Sequence, residues 1–465
     1  VSIKNQSPMR KKMMVVTVLS ASFLFLFNQF LLITAFPTIM NEFTINATQV
    51  QWLTTSFLLT TTVMIPMMGY LMNRFTARAL TITALASFAV GTFLAAIAPS
   101  FSLLVVARVI QAIGAGMMLP LVQTVLLLVY PYEKRGYAMG LMALVLNVAP
   151  AIGPPIAGYI VDVMDWRFLF WLVLPLSLVI FALGIVFMQN VTEQKEAKLD
   201  LVSLVFIAFG FSSVILGLSN ISIVGFIHIT VIGPLVLGLM AITVLIWRQL
   251  RLKIPMLEMR LFRKTLFVYG VILSFVISVL LLSTETLLPL LAQDVQGRSA
   301  FSSGMILLPG TLLLAVTAFV SGRLFDLYGA RLLNIGGYAL LTLTLGAFVF
   351  VDESTNILIL IVCFSLFMSG IGLTMTPATA IAMNALEQSE LAHGTAIVNT
   401  IKQFGAAFGV TVLTTIVSLQ ANQPHVDYAE GTLTGLKLAF GAMAIAALLA
   451  WILVLVTKEK KENPS

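Results

Sequence analysis

Fourteen long apolar runs divide the chain. They fall at about residues 13–36, 52–72, 79–98, 102–129, 138–162, 167–189, 201–219, 224–247, 266–290, 302–325, 332–350, 356–377, 395–419 and 433–456. Each reaches or approaches the ~20 residues with which an α-helix crosses a bilayer. A transmembrane β-strand needs only ~9–11 residues in strict alternation, so runs of this length predict helices and exclude a barrel. The thinnest divide is the one between the fifth and sixth runs, held open by Asp162, Asp165 and Arg167. The expected fold is an all-α polytopic membrane protein with 14 transmembrane helices.

Composition agrees: of 465 residues, 59% are apolar and 10% charged, where soluble domains carry about 25% charge. This excludes an ordinary soluble enzyme and a disordered chain. The single cysteine, Cys363, rules out an intrachain disulfide. The polar start leading into a long first run predicts no cleavable signal.

Assigning successive connections to alternate sides sorts the charge. The side holding the N-terminus collects 21 of the 26 Lys and Arg, against 10 acids; the other side holds three basic and eight acidic residues. Basic loops stay in the cytoplasm, so both termini are expected there, in a multi-pass protein of the plasma membrane. The net charge of +7 then reflects loop orientation, and no nucleic-acid partner is expected. Three charged residues remain inside the runs: Arg108, Glu285 and Lys402.

Two connections repeat a pattern. Gly69-Tyr-Leu71-Met-Asn73-Arg74-Phe-Thr76-Ala-Arg78 matches Gly322-Arg323-Leu324-Phe-Asp326-Leu-Tyr-Gly329-Ala-Arg331 at an offset of 253 residues. The same offset carries Met13, where the first run starts, to 266, where the ninth starts. The chain is therefore expected to hold an N-terminal six-helix bundle (1–190), two inserted helices with their linkers (191–264) and a C-terminal six-helix bundle with its tail (265–465). Parallel six-helix halves around a mid-membrane site are a transporter plan.

On these motifs the chain resembles the major facilitator superfamily, and within it the fourteen-helix branch of drug–proton antiporters. The repeated turn is similar to that superfamily's signature between helices two and three. Arg108-Val-Ile-Gln111-Ala-Ile-Gly114-Ala-Gly116 supplies a second match. The run Ala149-Pro150-Ala-Ile-Gly153-Pro154-Pro155-Ile-Ala-Gly158 resembles the antiporter signature, and Trp166-Arg167-Phe168 with Pro175 fits the same branch. The resemblance covers essentially the whole chain. It implies alternating access, with Asn73, Arg74, Arg78, Asp326 and Arg331 locking the inside-closed state through charge pairs, and with Pro150, Gly153, Pro154 and Gly158 gating the face between the halves. The chain departs from the family where Asp is usual at the position of Asn73, Gly at that of Thr76, and Asp at that of Asn28.

Glu285 is the one carboxylate inside a run. An ionised group at that depth costs at least ~2.5–3.5 kcal/mol and marks a functional site by default. By the offset, Asn28 corresponds to Leu281, one helical turn before Glu285, so the proton site is expected to have moved from helix one to helix nine. The other reading is a hydrated structural acid near the outer interface. Arg108 is either a partner in proton exchange, through Asn28, Gln111 or Glu285, or a hydrogen-bond anchor. Lys402 is expected to snorkel toward the cytoplasm. Pro150, Pro154 and Pro155 each remove a backbone donor and bend the helix, while Gly153 and Gly158 permit close packing; the bend is either a gate or a packing kink. The offset takes this run to Lys402–Thr411, where Gly405 and Gly409 give a matching small face. Thr54, Thr55, Thr60, Thr61 and Thr62 either line a cavity or bond back to their own helix. The 22 Met and 32 Phe suit adaptable apolar binding and suit plain packing equally.

No Gly-Lys-Ser/Thr is present, which excludes an ATP-driven pump in this chain alone. His228, His393 and His425 have no metal-ligand spacing, and no Ser-His or Cys-His pair has a catalytic arrangement. No enzyme activity, cofactor or metal is expected. The expected function is proton-coupled efflux of amphipathic, often cationic drugs by a monomer, with Glu285 and Arg108 in coupling and Asn28, Gln111 and Glu285 at the substrate cavity. The alternatives are a facilitator or exporter of one specific solute or lipid-like amphiphile, and a non-transporting receptor or scaffold.

Overall fold

The computed structural model describes residues 8–457, apart from 46, 51, 192–199, 253, 254, 256, 299, 422 and 424–426. Lys4, Lys195, Lys198, Lys253, Lys458, Lys460, Lys461 and His425 lie outside the described residues, as do the side chains of Thr55, Pro154 and Pro155. The described chain is helical, without a strand among the described residues.

The long helices are α1 (Pro8–Thr34), α4 (Trp52–Arg74), α5 (Ala77–Ala96), α6 (Phe101–Val129), α7 (Arg135–Val163), α8 (Phe168–Phe187), α9 (Leu201–Val224), α10 (Ile229–Arg251), α11 (Thr265–Leu290), α12 (Ala300–Tyr328), α13 (Ala330–Phe348), α14 (Ile357–Asn384), α15 (Leu391–Ala421) and α16 (Tyr428–Val456); the short α2 (Phe36–Phe43) and α3 (Ala47–Val50) lie between α1 and α4. Twelve are long and apolar enough to cross a membrane; the apolar α7 and α9 make the range twelve to fourteen.

The helix ends follow local chemistry. Ser100, Asp200, Asn356 and Asp427 each accept a backbone N–H from the first turn they precede, meeting a donor that the helix itself leaves unpaired. The two repeated turns differ here. Gly329 sits at φ 81°, a conformation open to glycine, and links α12 to α13. Its counterpart Thr76 is extended, and its hydroxyl accepts the N–H of Ala79 at 3.0 Å, capping α5. The threonine thus replaces a backbone solution with a side-chain one.

Helices α1 and α4–α8 pack around one core, with Leu24, Phe25, Leu53, Phe88, Leu121 and Phe170 inside it. Helices α11–α16 enclose a second, around Leu273, Tyr338, Phe364, Phe367 and Phe440. Helices α9 and α10 form a hairpin in which Gly210, Gly217 and Gly238 allow close backbone approach, clamped at its open end by Asp200 and Arg248 at 3.0 Å. The hairpin lies against α4 and α15. Phe211 stacks on Phe404 at 4.7 Å, and Thr415 reaches the carbonyl of Leu218 at 3.4 Å. The two helical groups meet along α4–α15 and α7–α12.

Candidate functional site

A cavity of about 180 Å³ opens at mid-height, walled by α1, α4 and α6 of the first group and bordered by α15 of the second. Its walls include Ser22, Phe25, Gln29 and Phe30 of α1, Phe57 and Thr61 of α4, Gly116 and Met118 of α6, and Gln403 of α15. It is aromatic and aliphatic with a few amides and hydroxyls, the usual make-up of a small-molecule site. Of the threonine run, Thr61 lines it; the hydroxyls of Thr60, Thr61 and Thr62 also bond back to carbonyls of their own helix. Gln29, Phe57 and Gln403 were not singled out by sequence. The two glutamines were visible as polar residues within apolar runs.

Asn28, Gln111 and Glu285 do not line this cavity. Asn28 and Gln111 come together but are sealed in the first core, at 1% and 0% exposure. Gln111 Oε1 accepts both Asn28 Nδ2 at 3.3 Å and Arg108 Nη1 at 2.9 Å. Its own amide donates to Thr92 Oγ1 at 2.9 Å. Arg108 adds a bond to the carbonyl of Leu53 at 3.3 Å and stacks its guanidinium on Phe57, 4.4 Å from the ring centroid. Of the acceptors expected for Arg108, Gln111 serves and Asn28 and Glu285 do not. The amide does so because Arg108 and Gln111, three residues apart, share a helix face.

Glu285 stands on α11, half-buried, with no hydrogen bond or ion pair to another described residue. Six residues farther on, past Pro289, the helix widens into a π-helical turn, Leu291–Val295. Lys402 of α15 is half-buried too. Its ammonium donates to Thr379 Oγ1 of α14 at 2.7 Å, inside the protein.

The groups are joined at the end carrying the repeated turns. Asp326 accepts the backbone N–H groups of Gly136 at 2.9 Å and Tyr137 at 2.7 Å, placing an anion on the N-terminus of α7, where the helix dipole favours it. By the repeat, Asn73 occupies the equivalent place at the start of α15, and its Nδ2 lies 2.8 Å from His393 Nε2. Thr124 meets Thr395 at 2.9 Å, and Asn399 donates to Gln123 at 2.8 Å. Arg135 reaches Asn384 at 3.3 Å. The backbones of α7 and α12 touch: a Cβ on Gly136 would stand 2.6 Å from the carbonyl of Gly322, and one on Gly140 3.0 Å from its Cα.

The expectation of charge pairs at this seam is corrected. Asp326 uses backbone donors. Arg78 bonds the carbonyl of Ile185 within its own group, Arg331 that of Leu455 within the other, and Arg74 is exposed. The basic residues that do reach across are Arg135, on Asn384 at 3.3 Å, and Arg323, over the ring of Tyr137 at 5.6 Å. In the antiporter-like run the two glycines differ. Helix α7 is continuous through Pro150, and Gly153 packs on Phe30, with a Cβ there 3.1 Å from the Phe30 Cβ. Gly158, however, faces open space: five residues on, it lies about 140° around the helix from Gly153. Gly405 and Gly409 pack on Phe275 and Val279 of α11, so α15 leans on α11 as α7 leans on α1.

At the opposite end Arg167 holds Glu42 in a two-pronged pair, at 2.7 and 3.0 Å. Hydrogen bonding from Arg167 keeps the Glu42 carboxyl below its ordinary pKa, and the same bond raises that of Arg167.

Two groups of membrane-length helices facing each other across a mid-height cavity follow the plan of a membrane transporter. The chain belongs to the Major Facilitator Superfamily, whose profile matches residues 18–410. It is 39% identical to the MFS-type transporter YcnB of Bacillus subtilis over 99% of this chain and 98% of that one. It is 37% identical to the lincomycin resistance protein LmrB of the same organism over 89% of this chain and 86% of that one. In fold alone it resembles the crystal structure of the human organic anion transporter MFSD10 (TETRAN), with a TM-score of 0.68 over 97% of this chain and 100% of that chain at 13% identity.

Proposed function

We propose that the protein exports amphipathic drugs, cationic ones among them, across the plasma membrane in exchange for protons, by alternating access of two six-helix halves. In this reading there are fourteen spans. The repeated turns face the cytoplasm, as the basic residues require, and residues 1–190 and 265–465 are the two halves, joined by the inserted hairpin in a monomer. Likeness to LmrB supports a drug as cargo, and the aromatic cavity supports an amphipathic one.

The observation that carries the coupling is that Glu285 has no hydrogen-bond or ion-pair partner among the described residues. A carboxylate paired to an arginine is held ionised; one without a partner in an apolar span can take up and release a proton as its surroundings change. Competition between a proton and a substrate for that site gives exchange. Arg108, tied to Gln111 inside the first core, is assigned to positioning α1, α4 and α6 around the cavity.

Ethidium uptake into everted vesicles under an imposed pH gradient tests this reading. Glu285→Gln is expected to abolish gradient-driven uptake while inserting normally. Gradient-driven uptake at the wild-type rate in that variant would remove Glu285 from the mechanism. Uptake without pH dependence in the wild type would favour a facilitator.

A further inference from the structure

Lys402 is a titratable group inside a span, next in sequence to the cavity residue Gln403, that the coupling scheme leaves without a task. It lies eleven residues into α15, about 17 Å along the helix. The contacts of Gly405 with Phe275 and Gly409 with Val279 set α15 beside α11 in parallel register. Glu285 then stands about 20 Å farther along the axis than Lys402, too far to serve as its counter-ion.

Among the described residues no carboxylate comes within ion-pair distance of Lys402. Its partner is the hydroxyl of Thr379, which donates its own proton to the carbonyl of Met375 at 3.0 Å. An ammonium has three N–H donors, so two remain for something else. Arg108, the other cation inside a span, is closed off at 1% exposure with its donors on Gln111 and Leu53; Lys402 is half-buried.

Its place in the path is defined by its neighbours. Gln403, the next residue, lines the cavity. Asn399, three residues earlier and on the same face, makes the hydrogen bond to Gln123 that joins the halves. Lys402 therefore stands between the cavity and the closed seam. An ammonium in a membrane span is expensive unless paired, and such groups mark substrate and ion pathways.

We propose that Lys402 recognises an anionic group, a carboxylate, sulfonate or phosphate, on an amphipathic substrate in the central path, so that the substrate class extends to organic anions and zwitterions. The proposal rests on the transport reading and deepens it. A zwitterion about 20 Å long would span Lys402 and Glu285 together; a shorter anion would use Lys402 alone.

The test uses the purified full chain in phosphatidylcholine vesicles, whose headgroups carry no net charge, with lipid and buffer identical throughout, so that any anion they supply acts equally on both probes. Radiolabelled taurocholate, a sulfonate amphiphile, and ethidium, a cation, are assayed on the same preparation. The expected result is transport of both by the wild type, a fall of at least tenfold in the taurocholate-to-ethidium ratio in Lys402→Gln, and recovery of the ratio in Lys402→Arg. Should Lys402→Gln not fold, acylation of Lys402 in the wild type, read by mass spectrometry, is expected to be slowed by taurocholate and not by ethidium. An unchanged ratio, no protection, or wild-type transport of ethidium without taurocholate overturns the proposal and leaves the transport reading intact. Transport of neither probe overturns both.

Discussion

Asp326, near the end of α12, caps the start of α7: its Oδ1 accepts the N–H of Gly136 at 2.9 Å across the seam between the two helical groups. The equivalent place in the first group is filled by Asn73, which meets His393 through a neutral amide. One side of the seam is thus held by an anion on a helix terminus, the other without one.

An anion at a helix N-terminus contributes about 0.3–1 kcal/mol when exposed and up to about 2 when partly buried. Asp326→Asn is therefore expected to open the seam about 5- to 30-fold more often, and Asn73→Ala to open it less. The measurement is the rate at which a Thr395→Cys thiol, in a Cys363→Ser background, reacts with an impermeant maleimide. If Asn73→Ala exposes it more than Asp326→Asn, the ranking is wrong.

The seam also depends on the absence of side chains. A Cβ on Gly322 would collide with the carbonyl of Gly136, a backbone atom that cannot swing away. Gly322→Ala is expected to lower transport by more than tenfold with normal insertion. Gly158→Ala, facing open space, is expected to leave transport within about twofold of wild type. Equal effects of the two would show that the α7–α12 contact does not matter for transport.

Gln111 is the side chain that keeps Arg108 satisfied. Gln111→Leu leaves a buried guanidinium with one carbonyl and one ring, and leaving a buried donor unsatisfied costs about 1–3 kcal/mol, more for a charged group. A clear drop in melting temperature in detergent is expected. Arg108→Met combined with Gln111→Leu is expected to recover much of it, since removing both polar partners costs less than orphaning one. A single Gln111→Leu variant melting like the wild type would refute the assignment.

The Glu42–Arg167 pair gives a pH signature. A carboxyl whose folded pKa is lowered contributes stability above its unfolded pKa and loses it as pH falls through the lowered value. The loss attributable to Glu42 therefore lies in the acid range, below about pH 4. Glu42→Gln is expected to flatten the melting profile there, by a small amount because the pair is partly exposed. An acid limb identical to that of the wild type would exclude the pair.

The helices were legible because membrane length and charge scarcity leave strong marks, and the repeat because Gly322–Arg331 copies Gly69–Arg78. Glu285 was legible as a carboxylate among apolar residues. The partners were not. Asp326 binds backbone N–H groups about 190 residues away, and a backbone donor has no residue type to read. His393 pairs with Asn73 at a separation of 320 residues, visible only once the halves are assembled. Gly158 looked like Gly153 in sequence; what distinguishes them is the face of α7 that each occupies, that of Gly153 lying against α1.

The hairpin of α9 and α10 gives the molecule unequal flanks. It lies against α4 and α15, so the line where those helices meet has a helical layer outside it, while the α7–α12 line has no such layer among the described residues. For a solute dissolved in the bilayer, the two seams are then different doors. Lateral entry or escape would be one-sided, through α7 and α12, and lipid would press on the moving halves from that side more than from the other.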